Sequence, residues 1–149
     1  MIKLTSINPA YNPARRQYHS TKILESIIKS NPEESGLYLI LTELDLFVPV
    51  LTHVFGEAQL KGRFSIVSVC RLYEEFYTAE SNPKLVLNRS LKEALHEIGH
   101  NLGLYHCKNW ECIMHSSNNV EEIDTKGLFY CKECSDILKS SGIKHPAAI

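Results

Sequence analysis

Apolar residues recur along this chain in two distinct periods, and the elements can be read from where each period starts and stops. Ile2 to Thr5 alternates apolar and polar residues and ends at Asn8-Pro9, which predicts a first short strand. From Asn12-Pro13-Ala14 to Lys29 the apolar positions Ile23, Leu24, Ile27 and Ile28 fall at helical spacing, and Ser30-Asn31-Pro32 closes that helix. Leu37 to Thr42 is apolar without alternation and reads as a strand buried on both faces. Strand, helix and strand in this order imply a right-handed crossover and a parallel pair. Thr52 to Gln59 and Arg63 to Cys70 are further strands, joined through Leu60-Lys61-Gly62. That short, glycine-containing link predicts an antiparallel hairpin with one strand at a sheet edge. Tyr73 to Leu85 reads as a long surface loop. Ser90 then reads as an N-cap, with Glu93 completing a capping box. The helix it opens carries Leu91, Ala94, Leu95, Ile98 and Leu102 on one face and stops at Gly103. A last helix is expected over Phe129 to Ser140, with Gly142 as its stop.

Composition narrows the class. At 149 residues, 44% hydrophobic and 22% charged, the chain suits one continuous globular domain over 1–149. Within it the composition shifts after Gly103, dividing a part of about 1–103 from one of about 104–149. A net charge of −1 gives no electrostatic reason to bind nucleic acid or an anionic membrane. No apolar run approaches a membrane span, and the N-terminus lacks a signal-peptide pattern. The expectation is therefore a cytoplasmic protein that works as a monomer, with its five cysteines reduced.

The densest chemistry lies in H-E-I-G-H-N-L-G-L-Y-H, His96 to His106. On a helix, His96 and His100 share one face a turn apart and can bind one metal ion, with Glu97 beside them. Gly103 can end the helix in a left-handed turn, so that His106 swings back toward the same ion. Three imidazoles leave the fourth position of a tetrahedral Zn²⁺ open, the mark of a catalytic rather than a structural site. Met114 follows downstream as a soft, adaptable filler for the floor of such a site. His115, next to it, reads as a turn histidine, and Cys70 as a buried core thiol.

The segment after Gly103 holds the other four cysteines: Cys107-x₄-Cys112, eighteen residues, then Cys131-x₂-Cys134. Two pairs at this separation make a closed, structural four-thiolate zinc site. Metal binding there supplies folding free energy to a segment with little apolar material of its own. Because Cys107 directly follows His106, the two sites share backbone. A redox C-x-x-C would lie beside a βαβ pattern and would not need the upstream pair.

Taken together, these residues resemble the archaemetzincins, a small metzincin family of zinc metallopeptidases. The resemblance rests on H-E-I-G-H-N-L-G-L-Y-H-C-K-N-W-E-C-I-M and the later C-K-E-C, with F-G-E-A (Phe55 to Ala58) and S-V-C-R-L (Ser68 to Leu72) in support. It implies an α+β fold: a metzincin-like mixed twisted sheet with a backing helix and an active-site helix, plus a small zinc-stapled C-terminal subdomain. It also implies two zinc ions per chain. His96, His100 and His106 would hold the catalytic ion, and Cys107, Cys112, Cys131 and Cys134 the structural one. Met114 would form the Met-turn. Glu97 would be the general base for a zinc-activated water attacking a peptide or protein substrate. An edge strand from the Thr52 to Gln59 region would hold that substrate extended. The sequence names no pocket-defining residue, so aminopeptidase and endopeptidase both stay open; Glu57 is a candidate acid for a substrate amine, with an exposed surface charge as its other reading. The competing reading is a non-catalytic two-zinc scaffold for a peptide or protein partner, against which an intact Glu97 argues.

Overall fold

A computed structural model describes Lys3 and residues 6–142 of the chain. The strand expected at Ile2 to Thr5 falls outside the described residues, Lys3 apart. The elements are β1 (Tyr11–Asn12), β2 (Gln17–His19), α1 (Ser20–Ser30), β3 (Tyr38–Thr42), β4 (Leu46–Phe47), β5 (Gly56–Ala58), β6 (Phe64–Ser68), α2 (Pro83–Asn101), α3 (Val120–Thr125) and α4 (Lys132–Ser140). Among the described residues two mixed three-stranded sheets form, ordered β1-β2-β4 and β3-β6-β5. β2 runs parallel to β4, and β3 runs parallel to β6 in the register Ile40↔Ile66. β5 pairs antiparallel with β6 through Gly56↔Val67, so the expected hairpin forms and leaves β5 at the edge.

The second sheet is covered on both faces, and β6 shows how. Phe64 and Ile66 enter one core with Ile23, Leu24 and Ile27 of α1. Val67, one residue on and facing the other way, joins Phe55, Leu72, Val120 and Ile123, with Val86 of α2 packed beside them. Thus α1 backs the sheet and α2 crosses its opposite face. The doubly buried strand is β6, every residue of which is buried, rather than β3 as its sequence suggested. β3 lies at the other edge, and its Leu41 is 61% exposed.

Three helix starts differ from the sequence reading: α4 begins at Lys132 rather than Phe129, and the other two differ for local reasons. Asn12 does accept the Arg15 N–H (3.1 Å), as a cap would, but Arg16 then takes a left-handed conformation (φ 56°) and Gln17–His19 pairs with β4. Strand pairing overrides the helical pattern there, and α1 begins at Ser20. The other helix begins seven residues before Ser90. Asn82 is its true N-cap, accepting the Leu85 N–H (3.1 Å), with Pro83 at the first helical position. Ser90 sits inside α2 and donates to the Val86 carbonyl (2.7 Å), while Glu93 is engaged elsewhere. The expected loop over Tyr73 to Leu85 therefore ends in helix, after a 3₁₀ turn at Glu74–Phe76. At the other end, Gly103 (φ +99°) stops α2 as expected. Its N–H bonds the His100 carbonyl and the Leu104 N–H bonds that of Gly99, both at 2.9 Å. Gly142 (φ +77°) likewise follows α4.

Candidate active site

α2 carries His96, Glu97 and His100 toward a cleft of ≈ 500 Å³ whose opposite wall is β5 and the segment leading into it. The chain leaving Gly103 returns His106 to the same place. The three rings meet with centroids 4.7, 5.2 and 4.9 Å apart, and their ligand nitrogens all lie within 4.8 Å of one another.

Backbone carbonyls set the tautomers. His96 Nδ1–H donates to Ile113 O (2.8 Å) and His100 Nδ1–H donates to Leu104 O (2.7 Å). A carbonyl only accepts, so both Nε2 atoms are left as lone-pair acceptors. They nevertheless face each other at 3.1 Å. Protonation does not explain the contact, because burial, and secondarily the charge of Lys126, push His96 down to about 3. Burial also lowers His100 and His106. Two neutral lone pairs held at this distance repel unless a cation lies between them. Their spacing is close to the separation of about 3.3 Å that two nitrogens bound tetrahedrally to zinc at about 2.0–2.1 Å require.

Glu97 is 4% exposed, and among the described residues its carboxylate takes no hydrogen bond. It lies against the bare Cα of Gly56 in β5. Burial raises its pKa well above 4.5, with the negative charges of Glu93 and Glu57 adding to the effect. Glu57 itself is committed to the fold. Its carboxylate accepts hydroxyl hydrogen bonds from Ser20 and from Thr21 (2.8 Å), where a negative charge favours the start of α1.

The four remaining cysteines converge behind the histidines. Cys107 Sγ lies 3.7 Å from Cys131 Sγ, Cys112 Sγ lies 3.8 Å from Cys134 Sγ, and all four sulfurs are within 4.8 Å. Disulfide sulfurs would be about 2.05 Å apart, whereas the tetrahedron of a Zn–S site with bonds of about 2.3 Å has edges near 3.8 Å. Met114 is fully buried beside them, with Leu104, Ile113 and Leu138. It accepts the Cys107 N–H at its carbonyl (2.9 Å), tying the segment after His106 to the floor of the site. His115 donates from Nδ1 to Cys107 O (2.9 Å), and its ring lies 4.2 Å from that of Trp110. Cys70 stands apart from both clusters, half-buried near Asp45 and Arg71. Asp45 braces its surroundings through a bidentate pair with Arg71 (2.7 and 2.8 Å).

One part of the site has no signal in the sequence. The Lys126 ammonium is fully buried, 3.1 Å from Glu93 Oε1 and 3.1 Å from the His115 carbonyl. It links α2 to the turn after Met114, and Glu93, one helical turn before Glu97, lines the cleft.

Donor sets of this kind, three imidazoles with a buried carboxylate beside a four-thiol cluster, are those of a zinc peptidase, and the chain's relatives agree. Residues 1–140 match the profile of peptidase family M54. The chain belongs to peptidase family M54. It is 44% identical over 134 residues to the archaemetzincin of Methanocaldococcus jannaschii, which covers 90% of this chain and 73% of that one. The crystal structure of the Methanopyrus kandleri archaemetzincin superposes with a TM-score of 0.77 at 34% identity, covering 93% of this chain and 73% of the other. That of the Archaeoglobus fulgidus archaemetzincin complexed with malonate gives 0.75 at 38% identity, covering 91% and 75%. This M54 member is thus a zinc metallopeptidase of the archaemetzincin type, with the α+β fold of that family. Among the described residues no helix is long and apolar enough to cross a membrane.

Proposed function

We propose that this protein hydrolyses peptide bonds in the cleft between α2 and β5, with Glu97 as general base. Nε2 of His96 and of His100, with His106, would hold one zinc ion there. Cys107, Cys112, Cys131 and Cys134 would hold a second that is structural, giving two per chain. The catalytic zinc, when bound, supplies a Lewis acid that polarises a carbonyl oxygen and acidifies water. The observation that carries the reading is the Glu97 carboxylate: buried, free of hydrogen bonds among the described residues, and directed at the same cleft as three converging imidazoles.

The roles of the chain's own residues follow from their positions. Glu97 accepts the proton of the attacking water and, turning little, delivers it to the leaving amine. The Ile113 and Leu104 carbonyls keep the imidazoles in one tautomer and one orientation. Gly56 leaves the room in which the carboxylate stands. Among the described residues no strand pairs with the outer edge of β5, so a substrate chain can add to it antiparallel and extended, held by main-chain hydrogen bonds.

The test is peptide turnover by wild type and Glu97→Gln, each with its zinc content measured. General-base assistance is worth ~10²–10⁴ in rate, so Glu97→Gln should lose at least that while keeping its zinc. Turnover by Glu97→Gln at the wild-type rate would reject the mechanism.

A further inference from the structure

The fold fixes how the two ends of the cleft are ordered along a bound chain. Gly56 of β5 stands against Glu97 of α2, and the Asn101 side-chain amide donates to the Gln59 carbonyl (2.9 Å). β5 and α2 therefore run in the same direction along the cleft. Where β5 begins, the walls are mixed: the polar His53, Glu93, Ser116 and Asn118 stand with the apolar Leu51, Val54 and Phe55. Beyond its far end stand Leu60 and Tyr105, 41% and 69% exposed.

Both side chains project from tightly held backbone. Leu60 is at the corner of the β5–β6 turn, where Gly62 N–H bonds the Gln59 carbonyl (2.9 Å) and Lys61 is left-handed (φ 54°). The Lys61 N–H bonds the His100 carbonyl (3.0 Å), which pins this turn to the end of α2. Tyr105 lies between Leu104, 1% exposed, and His106. An apolar pair so placed beside the imidazoles, on backbone that is already held, can cover an apolar group with little loss of backbone freedom.

We propose that Leu60 and Tyr105 bind an apolar side chain of the substrate on the amino-terminal side of the scissile bond. This rests on the peptidase reading and on antiparallel addition to β5. A chain so added runs from the Leu60 end toward the Phe55 end, so the residues before the scissile bond pass over Leu60 and Tyr105. The residues after it pass over the mixed end, where β5 begins.

The test profiles cleavage of a peptide mixture, varied on both sides of the cut, by zinc-loaded protein. Peptides with leucine, methionine or phenylalanine before the cut should be favoured over those with aspartate or lysine by about tenfold or more. Leu60→Asn/Tyr105→Asn should lose that preference through a raised KM, with kcat, zinc content and Tm unchanged. Calorimetry of zinc-loaded Glu97→Gln with an apolar and an acidic capped peptide gives a readout independent of turnover. If nothing is cleaved but the apolar peptide binds more tightly, and binds less tightly once Leu60 and Tyr105 are replaced, the pocket stands and the peptidase reading falls. Cleavage without an apolar preference before the cut overturns the pocket and leaves the peptidase reading intact. Equal binding of the two peptides by Glu97→Gln also overturns the pocket.

Discussion

Gly56 and Glu97 are in direct contact across the cleft: a Cβ built on Gly56 would lie 2.6 Å from Glu97 Oε1 and 2.8 Å from its Cγ. The same Cβ would stand 2.8 Å from the Ile66 carbonyl oxygen, which belongs to the backbone of β6. The Glu97 carboxylate, the proposed base, is thus positioned by an absent side chain on the strand opposite. Gly56→Ala should push Glu97 out of its place and shift β5, an overpacking cost of about 1–3 kcal/mol. The expected outcome is a lowered Tm with folding retained, unchanged zinc content and a kcat at least tenfold down. Kinetics with zinc analysis and thermal denaturation checks it; wild-type kcat in Gly56→Ala would show that the contact does not position the base.

The buried carboxyl of Glu97 also makes a prediction about pH. Burial raises its folded pKa well above 4.5, with Glu93 and then Glu57 adding to the shift. Between 4.5 and the raised value the native state holds a proton that the unfolded chain has lost, so stability falls as pH rises through that window. A dication at the histidines would offset this, so His100→Ala, which should empty that site and leave the thiol site filled, is the background to use. There, adding Glu97→Gln should raise Tm at about pH 8, and the gain should vanish near pH 4, where the carboxyl is protonated in both states. A gain of the same size at both pH values would mean that Glu97 carries no buried-charge penalty.

How much of this was legible in the sequence depends on how local each feature is. The His96 to His106 cluster and the end of α2 are set within eleven residues, and the chain folds there as its spacing implies. The cysteine pairs are far apart, but chemistry restricts what four thiols in that pattern can do, and they do converge. What was hidden depended on distant partners. Arg89, 3% exposed inside α2, is buried because Asp124 holds it bidentately and Glu74 adds a further contact. The capping-box pattern of Ser90 and Glu93 is local and marks a false helix start, whereas the partners that bury Arg89 inside α2 lie 15 and 35 residues away. β3 and β6 are both apolar runs, and only the pairing of β5 decides which of them is central.

The Glu93–Lys126 pair spans 33 residues of sequence and has side-chain exposures of 5% and 0%. Removing one member leaves the other as an uncompensated buried charge, which costs ~3–5 kcal/mol. Lys126→Met should therefore destabilise strongly, and Lys126→Met/Glu93→Leu should recover most of that loss. Chemical denaturation of both variants and of Glu93→Leu completes the cycle. If Lys126→Met were as stable as wild type, the pair would contribute nothing to joining α2 to the turn after Met114.

The four-thiol site should act on the histidines through the backbone they share. Cys112, Cys131 and Cys134 are buried at 0%, 8% and 5% and form the centre of a small core with Leu104, Ile113, Met114 and Leu138. Burial raises the Cys112 and Cys134 thiols, which without a metal stay protonated, the Cys112 thiol donating to Cys134 Sγ (3.8 Å). Zinc binding to such a set is worth roughly 10–16 kcal/mol at neutral pH in small zinc-folded peptides, more than a segment of this size gains from its apolar contacts. Cys134→Ser removes one of the four clustered thiols, at the first turns of α4. The zinc content should fall from about two per chain to about one or below, and the segment after Gly103 should become sensitive to protease. Because Cys107 is bonded to the Met114 carbonyl and follows His106 directly, His106 should lose its fixed position. Turnover should then drop even when catalytic zinc is supplied in excess. Zinc analysis, limited proteolysis and peptide turnover on one preparation read all three. Full activity and intact protease resistance in a Cys134→Ser protein that has lost a zinc would show that His106 is held without the thiol site.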